Sequence, residues 1–171
     1  MRLRPLLGFP DPVNEIAARV VAAGVLVMCV TGLVLRQQWL LVPLAYGFWA
    51  RVLTGPTLSP LGQLATRVVA PRLSATPRLV PGPPKRFAQG VGAAFSTTAV
   101  ALWFGAGATT AAWVVVGLLA GAAFLEAAFA LCLGCKVFAL LMRAGVIPAS
   151  VCAHCADIGA RRREGPEPAR A

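Results

Sequence analysis

Four of the five cysteines in this 171-residue chain fall between residues 132 and 155, as two CxxC pairs, Cys132/Cys135 and Cys152/Cys155. Two thiols at that spacing can close and reopen a disulfide, or offer two soft ligands to one metal. Both chemistries use thiolates, and positive charge nearby lowers the thiol pKa that supplies them. Lys136 follows the first pair, and His154, the only histidine, sits inside the second. In a redox reading Cys132, Cys135, Cys152, Cys155 and His154 are the catalytic residues, and one pair passes a disulfide to the other by thiol exchange. In an alternative reading, the sixteen residues between the inner cysteines suit a four-thiolate zinc site made of Cys132, Cys135, Cys152 and Cys155. In a third, the cysteines stay reduced and pack as small hydrophobes, as expected of the solitary Cys29. Zinc, under the second reading, is the one cofactor the residues suggest.

Composition says what kind of scaffold carries these thiols. Hydrophobic residues make up 58% of the chain and charged residues 13%, with a mean hydropathy of +0.74. Soluble domains have roughly 45–50% and about 25%. The expected fold is therefore all-α, a polytopic membrane protein of about four transmembrane helices. A helix needs about 20 apolar residues to cross the hydrocarbon, and the candidate spans cover residues 16–35, 39–53, 87–104 and 111–131. The last is expected to continue as helix to about residue 144. Asp11 and Pro12 read as the cap and first turn of the first helix, with Glu15 and Arg19 one turn apart on a shared face. The second span is short and carries Pro43, which kinks it.

Between the second and third spans, Ser59 and Pro60 open a segment with Leu61, Leu64, Ala65 and Val68 at helical spacing. It reads as an amphipathic helix lying in the interface, with Arg67 and Arg72 near headgroups. "LVPGPPKRFAQG" then reads as an extended link, and "GAGATT" at residues 105–110 as a tight turn. The expected organisation is a membrane domain at 1–145, a cysteine-bearing hook at 146–160 and a disordered basic tail at 161–171.

Net charge is +10, which in a soluble protein would suggest a nucleic-acid partner. Here the charges collect between the apolar stretches, so they report topology, and no nucleic-acid partner is expected. Basic residues accumulate in cytoplasmic loops. Of the sixteen Lys and Arg, only Arg36 falls on the side of the first and third connections. Trp39, Trp103 and Trp113 lie at that basic-poor end. Both termini and both CxxC pairs are thus expected on the cytoplasmic side, where thiols are kept reduced and stable disulfides are rare. From Gly145 the chain has length enough to bring Cys152 back toward Cys135, at about 3.3–3.6 Å per residue.

An ionisable residue inside a span is costly and is by default a functional candidate. Glu126 is such a residue. On a straight helix it points away from Cys132 and Cys135, so it is not expected to act as their base. Two readings remain for it: a buried pair with Arg19 or Arg51 that fastens helices together, or a side chain that snorkels to the interface. With so few polar residues in the spans, a conduction path has little support.

Four stretches, "DPVNEIAARV", "RVLTGPTLSPLG", "PPKRFAQGVG" and "EAAFALCLGCKVFALL", resemble in order the bacterial membrane-protein family of domain of unknown function 4395. The resemblance covers Asp11 to about Leu141. It implies a multi-pass protein of the bacterial cytoplasmic membrane with Cys132 and Cys135 as the marker pair. It also implies a thioredoxin-like or sulfurtransferase partner and a role in thiol redox or sulfur handling. The competing reading is a non-enzymatic membrane scaffold whose hook is held by zinc.

Overall fold

The structure is a computed structural model, and it describes residues 9–73 and 79–152. A two-residue strand β1, Val13–Asn14, leads into helix α1, Glu15–Leu35. A 3-10 turn at Gln38–Leu40 opens α2, Leu41–Thr54. Next come α3, Pro60–Gln63, a stretch of wider π turns at Leu64–Val69, and α4, Ala70–Arg72. Strand β2, Leu79–Val80, pairs antiparallel with β1 and places Val13 opposite Val80. Helix α5, Gly82–Val100, continues through π turns at Ala101–Gly105. Helices α6, Thr109–Phe129, and α7, Leu133–Arg143, complete the long elements, and a 3-10 turn at Ala149–Val151 precedes Cys152.

Three helical segments are long and apolar enough to cross a membrane: Glu15–Leu35, Gly82–Gly105 and Thr109–Phe129. The fourth expected span does not reach that length. Helix α2 has 14 residues, about 21 Å at roughly 1.5 Å per residue, against a hydrocarbon core of about 30 Å.

The helices assemble by pairing α1 with α6 and α2 with α5, with α5 also meeting α6 and α7. Val25, Cys29, Phe48, Ala93, Val116 and Leu119 are buried where these surfaces meet. Leu118, Val114, Val27 and Val34 are exposed on the outside. That distribution suits a lipid solvent, in which helices associate by close packing of small residues while large apolar side chains face outward. Ser59 caps α3 by accepting from the Gly62 N–H at 3.2 Å, with Pro60 in the first turn, as the sequence pattern led one to expect. The segment folds onto α1: Ala65 is fully buried against Ala17 and Val21.

Two expected details differ. The cap of α1 is Asn14, whose side chain accepts from the Ile16 N–H at 2.9 Å. Asp11 instead accepts from the Gly82 N–H at 2.9 Å, so it stabilises the start of α5, 71 residues away. The strand pair β1–β2 brings those two places together, which local sequence does not reveal. The second difference concerns the thiols. The helix through residue 126 does not run on to 144. It stops at Phe129, and Ala130 adopts a left-handed conformation with φ of 55°.

Candidate functional site

The break at Ala130 builds the site. Cys132 becomes the N-cap of α7, with extended backbone, and its carbonyl accepts from the Lys136 N–H at 3.1 Å. Cys135 lies in the first turn of the same helix. The first turn of a helix presents N–H groups without intrahelical partners and the positive end of the helix dipole. A CxxC placed there has its leading sulfur where a thiolate is favoured. Cys132 is 8% exposed and Cys135 half-buried. Both carry free thiols.

The Cys135 thiol donates to the Cys132 sulfur, and this hydrogen bond is the main reason that Cys132 lies below the usual thiol range. Burial and the Glu126 carboxylate oppose the lowering, while Lys85 assists it. Cys135 moves the other way: donating to Cys132 keeps its proton on, and burial adds to the effect. Within the pair Cys135 is thus the donor and the Cys132 sulfur the acceptor.

Lys85 and Glu126 stand beside the pair. The Lys85 ammonium donates to Glu126 Oε1 at 2.6 Å, and the two side chains are 10% and 16% exposed. This corrects the expected Glu126–arginine pair. Arg19 instead donates to the carbonyls of Ala127 (3.1 and 2.9 Å) and Ala128 (3.1 Å). It thereby satisfies acceptors left open at the C-terminus of α6. Arg51, 5% exposed, donates from Nε to Gln89 Oε1 at 2.8 Å and from Nη1 to Ser59 Oγ at 3.2 Å. Its guanidinium also lies 4.6 Å from the Phe48 ring centre. The expectation that Glu126 points away from the cysteines fails for the same reason that the helix is not straight. The left-handed residue turns Cys132 and Cys135 back toward the face that carries Glu126.

Sequence reasoning missed Lys85 because the prolines around it looked like an extended link. Pro83 and Pro84 in fact occupy the first turn of α5, where a missing N–H costs nothing. That preference was the signal that could have found it.

Gly134, between the two cysteines, lets α7 approach α5. A Cβ there would sit 2.6 Å from both Cα and Cβ of Ala88. Gly134→Ala is expected to push α7 outward and destabilise the protein by about 1–3 kcal/mol, the usual cost of overpacking. It should also lower the reactivity of Cys132 toward iodoacetamide. Unfolding in mild detergent and alkylation timed by mass spectrometry measure the two effects.

A cavity of about 470 Å³ lies between α1, α5, α6 and α7. Val25, Phe95 and Leu119 line its depth, and Gln89, Glu126 and Cys132 its polar end. The Cys132 sulfur thus has an apolar approach from within the helices.

The second pair is placed only in part. Cys152 is 5% exposed and disulfide-bonded, and its partner is none of the three free cysteines. Cys155, His154 and the tail at 161–171 lie outside the described residues. Among the described residues no group of three or more His, Cys, Asp or Glu could hold a metal ion.

Fold and site together define a helical protein with three membrane-length helices and a buried, asymmetric dithiol at the start of a short helix. The chain belongs to the family described as a domain of unknown function, DUF4395, whose model matches residues 13–143. That span includes Lys85, Glu126, Cys132 and Cys135 and leaves Cys152 outside. No curated protein and no solved structure matches the chain.

Proposed function

We propose that this protein is a membrane thiol–disulfide exchange protein whose working pair is Cys132 and Cys135, facing the cytoplasm. The observation that carries the reading is the placement of two free thiols, Cys132 and Cys135, at the N-cap and in the first turn of α7. In the proposed cycle the Cys132 thiolate attacks one sulfur of a partner's disulfide. A mixed disulfide forms, and the partner's other sulfur leaves as a thiolate that takes up a proton. Cys135 then loses its proton and attacks the Cys132 sulfur. The partner departs with two thiols, and Cys132–Cys135 is left as a disulfide. Two electrons pass from this pair to the partner, and the reverse sequence restores the dithiol.

A thioredoxin-like or sulfurtransferase protein is the proposed partner, by way of the family resemblance. The second pair, Cys152 with Cys155 and its neighbour His154, is proposed as the relay that hands on the disulfide. The disulfide at Cys152 departs from the reduced thiols expected of both pairs on the cytoplasmic side.

The cytoplasmic orientation, with a bacterial cytoplasmic membrane and both termini inside, rests on the arginine asymmetry and takes the short α2 with the 3-10 turn before it as a fourth pass. It is supported by the position of Arg19, Arg51 and Lys85 at the dithiol end. Trp103 and Trp113, with ring centres 5.2 Å apart, pack at the opposite end of α5 and α6.

Thiol counting tests the reading. Purified protein is expected to be free of zinc and to cycle between dithiol and disulfide at Cys132–Cys135 in a glutathione buffer. Stoichiometric zinc that survives mild oxidation would replace it with the scaffold reading. The pH profile adds a sign. Because Cys132 lies below the usual thiol range, its alkylation should reach half-maximal rate below about pH 8.5, the ordinary cysteine value. Cys135→Ala removes the largest lowering influence and should move that midpoint upward. Cys135→Ser, which keeps a hydroxyl donor, should move it less.

A further inference from the structure

Arg51 is the one buried arginine of the described residues, and Nη2 is its one buried side-chain nitrogen with no hydrogen-bond partner. Its Nε and Nη1 have neutral partners, Gln89 and Ser59. Leaving a charged donor unpaired in a poorly solvated place is costly, and such a group usually marks a site that something else completes. Arg51 lines a second cavity of about 190 Å³, beneath the N-terminal stretch that leads into α1. Its other polar lining residues include Asn14, Lys85 and Gln89. No aspartate or glutamate lines it among the described residues. Pro12, Ala17, Val21 and Pro56 supply apolar walls, which strengthen any electrostatic interaction made inside.

Lys85 is already paired with Glu126, which leaves Arg51 as the unbalanced charge of the cavity lining. The donors are of the kind that bind oxygen acceptors: a planar guanidinium, an ammonium and side-chain amides. From this we propose that the cavity against Arg51 and Lys85 binds a tetrahedral oxyanion, either free in solution or as the phosphate of an anionic lipid headgroup. The site shares Lys85 with the surroundings of the dithiol but does not depend on the exchange reading, since an oxyanion there needs no reaction at Cys132.

The test uses the full chain in phosphatidylcholine nanodiscs and radiolabelled sulfate in equilibrium dialysis, with chloride at matched ionic strength. One sulfate per chain, saturably bound and unaffected by chloride, is expected. Binding that does not saturate, or that chloride removes equally, overturns the proposal. Arg51→Gln should weaken binding about tenfold or more, the worth of a charge-assisted hydrogen bond, and Arg51→Lys should weaken it less. Should Arg51→Gln not fold, saturation in the unaltered protein and the Arg51→Lys affinity still decide. Wild-type affinity in a folded Arg51→Gln variant overturns the site. In nanodiscs with phosphatidylglycerol, loss of the sulfate bound in phosphatidylcholine identifies the lipid headgroup as the occupant, and retention identifies the free anion.

Discussion

Cys132→Ser is expected to abolish thiol–disulfide cycling entirely, whereas Cys135→Ser should leave a protein that accumulates mixed disulfides. The difference follows from the order of events. Exchange begins with a thiolate, and in the proposed reading Cys132 supplies it: its thiol is lowered by the hydrogen bond from Cys135, and it occupies the N-cap position of α7. A serine hydroxyl in its place cannot ionise at neutral pH or attack a disulfide, so no covalent intermediate forms. With Cys132 intact and Cys135 replaced, the first attack proceeds but nothing resolves it. Non-reducing electrophoresis of membranes after mild oxidation should show a higher-mass, reductant-sensitive species for Cys135→Ser and none for Cys132→Ser. Equal trapping by both variants would mean that the roles are not divided in this way. Trapping by Cys132→Ser alone would reverse them.

Removing one member of the Lys85–Glu126 pair should destabilise the protein by about 3–5 kcal/mol, the loss seen when a buried ion pair is left with an unpaired charge. Both side chains are largely buried, and their contact is 2.6 Å, so solvent screens them weakly. Lys85→Met leaves the Glu126 carboxylate without its partner, and Glu126→Gln leaves the ammonium of Lys85. The double replacement removes both charges and should cost less than the two single changes added together. Unfolding of the three variants in one detergent measures that coupling.

The same variants carry a second, oppositely signed readout at the dithiol. Lys85 lowers the Cys132 thiol and Glu126 raises it. The alkylation midpoint of Cys132 should therefore move up in Lys85→Met and down in Glu126→Gln. A pair that only fastened α5 to α6 would change stability and leave both midpoints alone.

Several elements were legible in the residues. The apolar runs around Val25, Ala99 and Val116 are long, and a bilayer demands length and apolarity of any helix that crosses it, so α1, α5 and α6 could be read from the chain. Ser59 and Pro60 announced α3 because capping is a local event. The basic residues were legible as one end of the molecule, and Arg19, Arg51 and Lys85 do gather there. Helix α2, at 14 residues, is shorter than α1, α5 and α6, in keeping with the short apolar run at 39–53.

The cysteine spacing by itself determined that a dithiol was present and that Cys132 and Cys135 lie near enough to interact. It did not determine what surrounds them. Ala130 has a strong helix propensity, and nothing in "FLEAAFALCLGC" marks a stop, so local reasoning carried the helix straight through. A left-handed alanine is held by the surroundings: Arg19 binds the carbonyls before it, and Gly134 seats α7 against Ala88 after it. Both contacts join residues far apart in the chain. The tertiary structure therefore decided that Cys132 caps a helix and that Lys85, not an arginine, meets Glu126. Those are questions of direction in space, and one-dimensional spacing gives direction only where the helix continues unbroken.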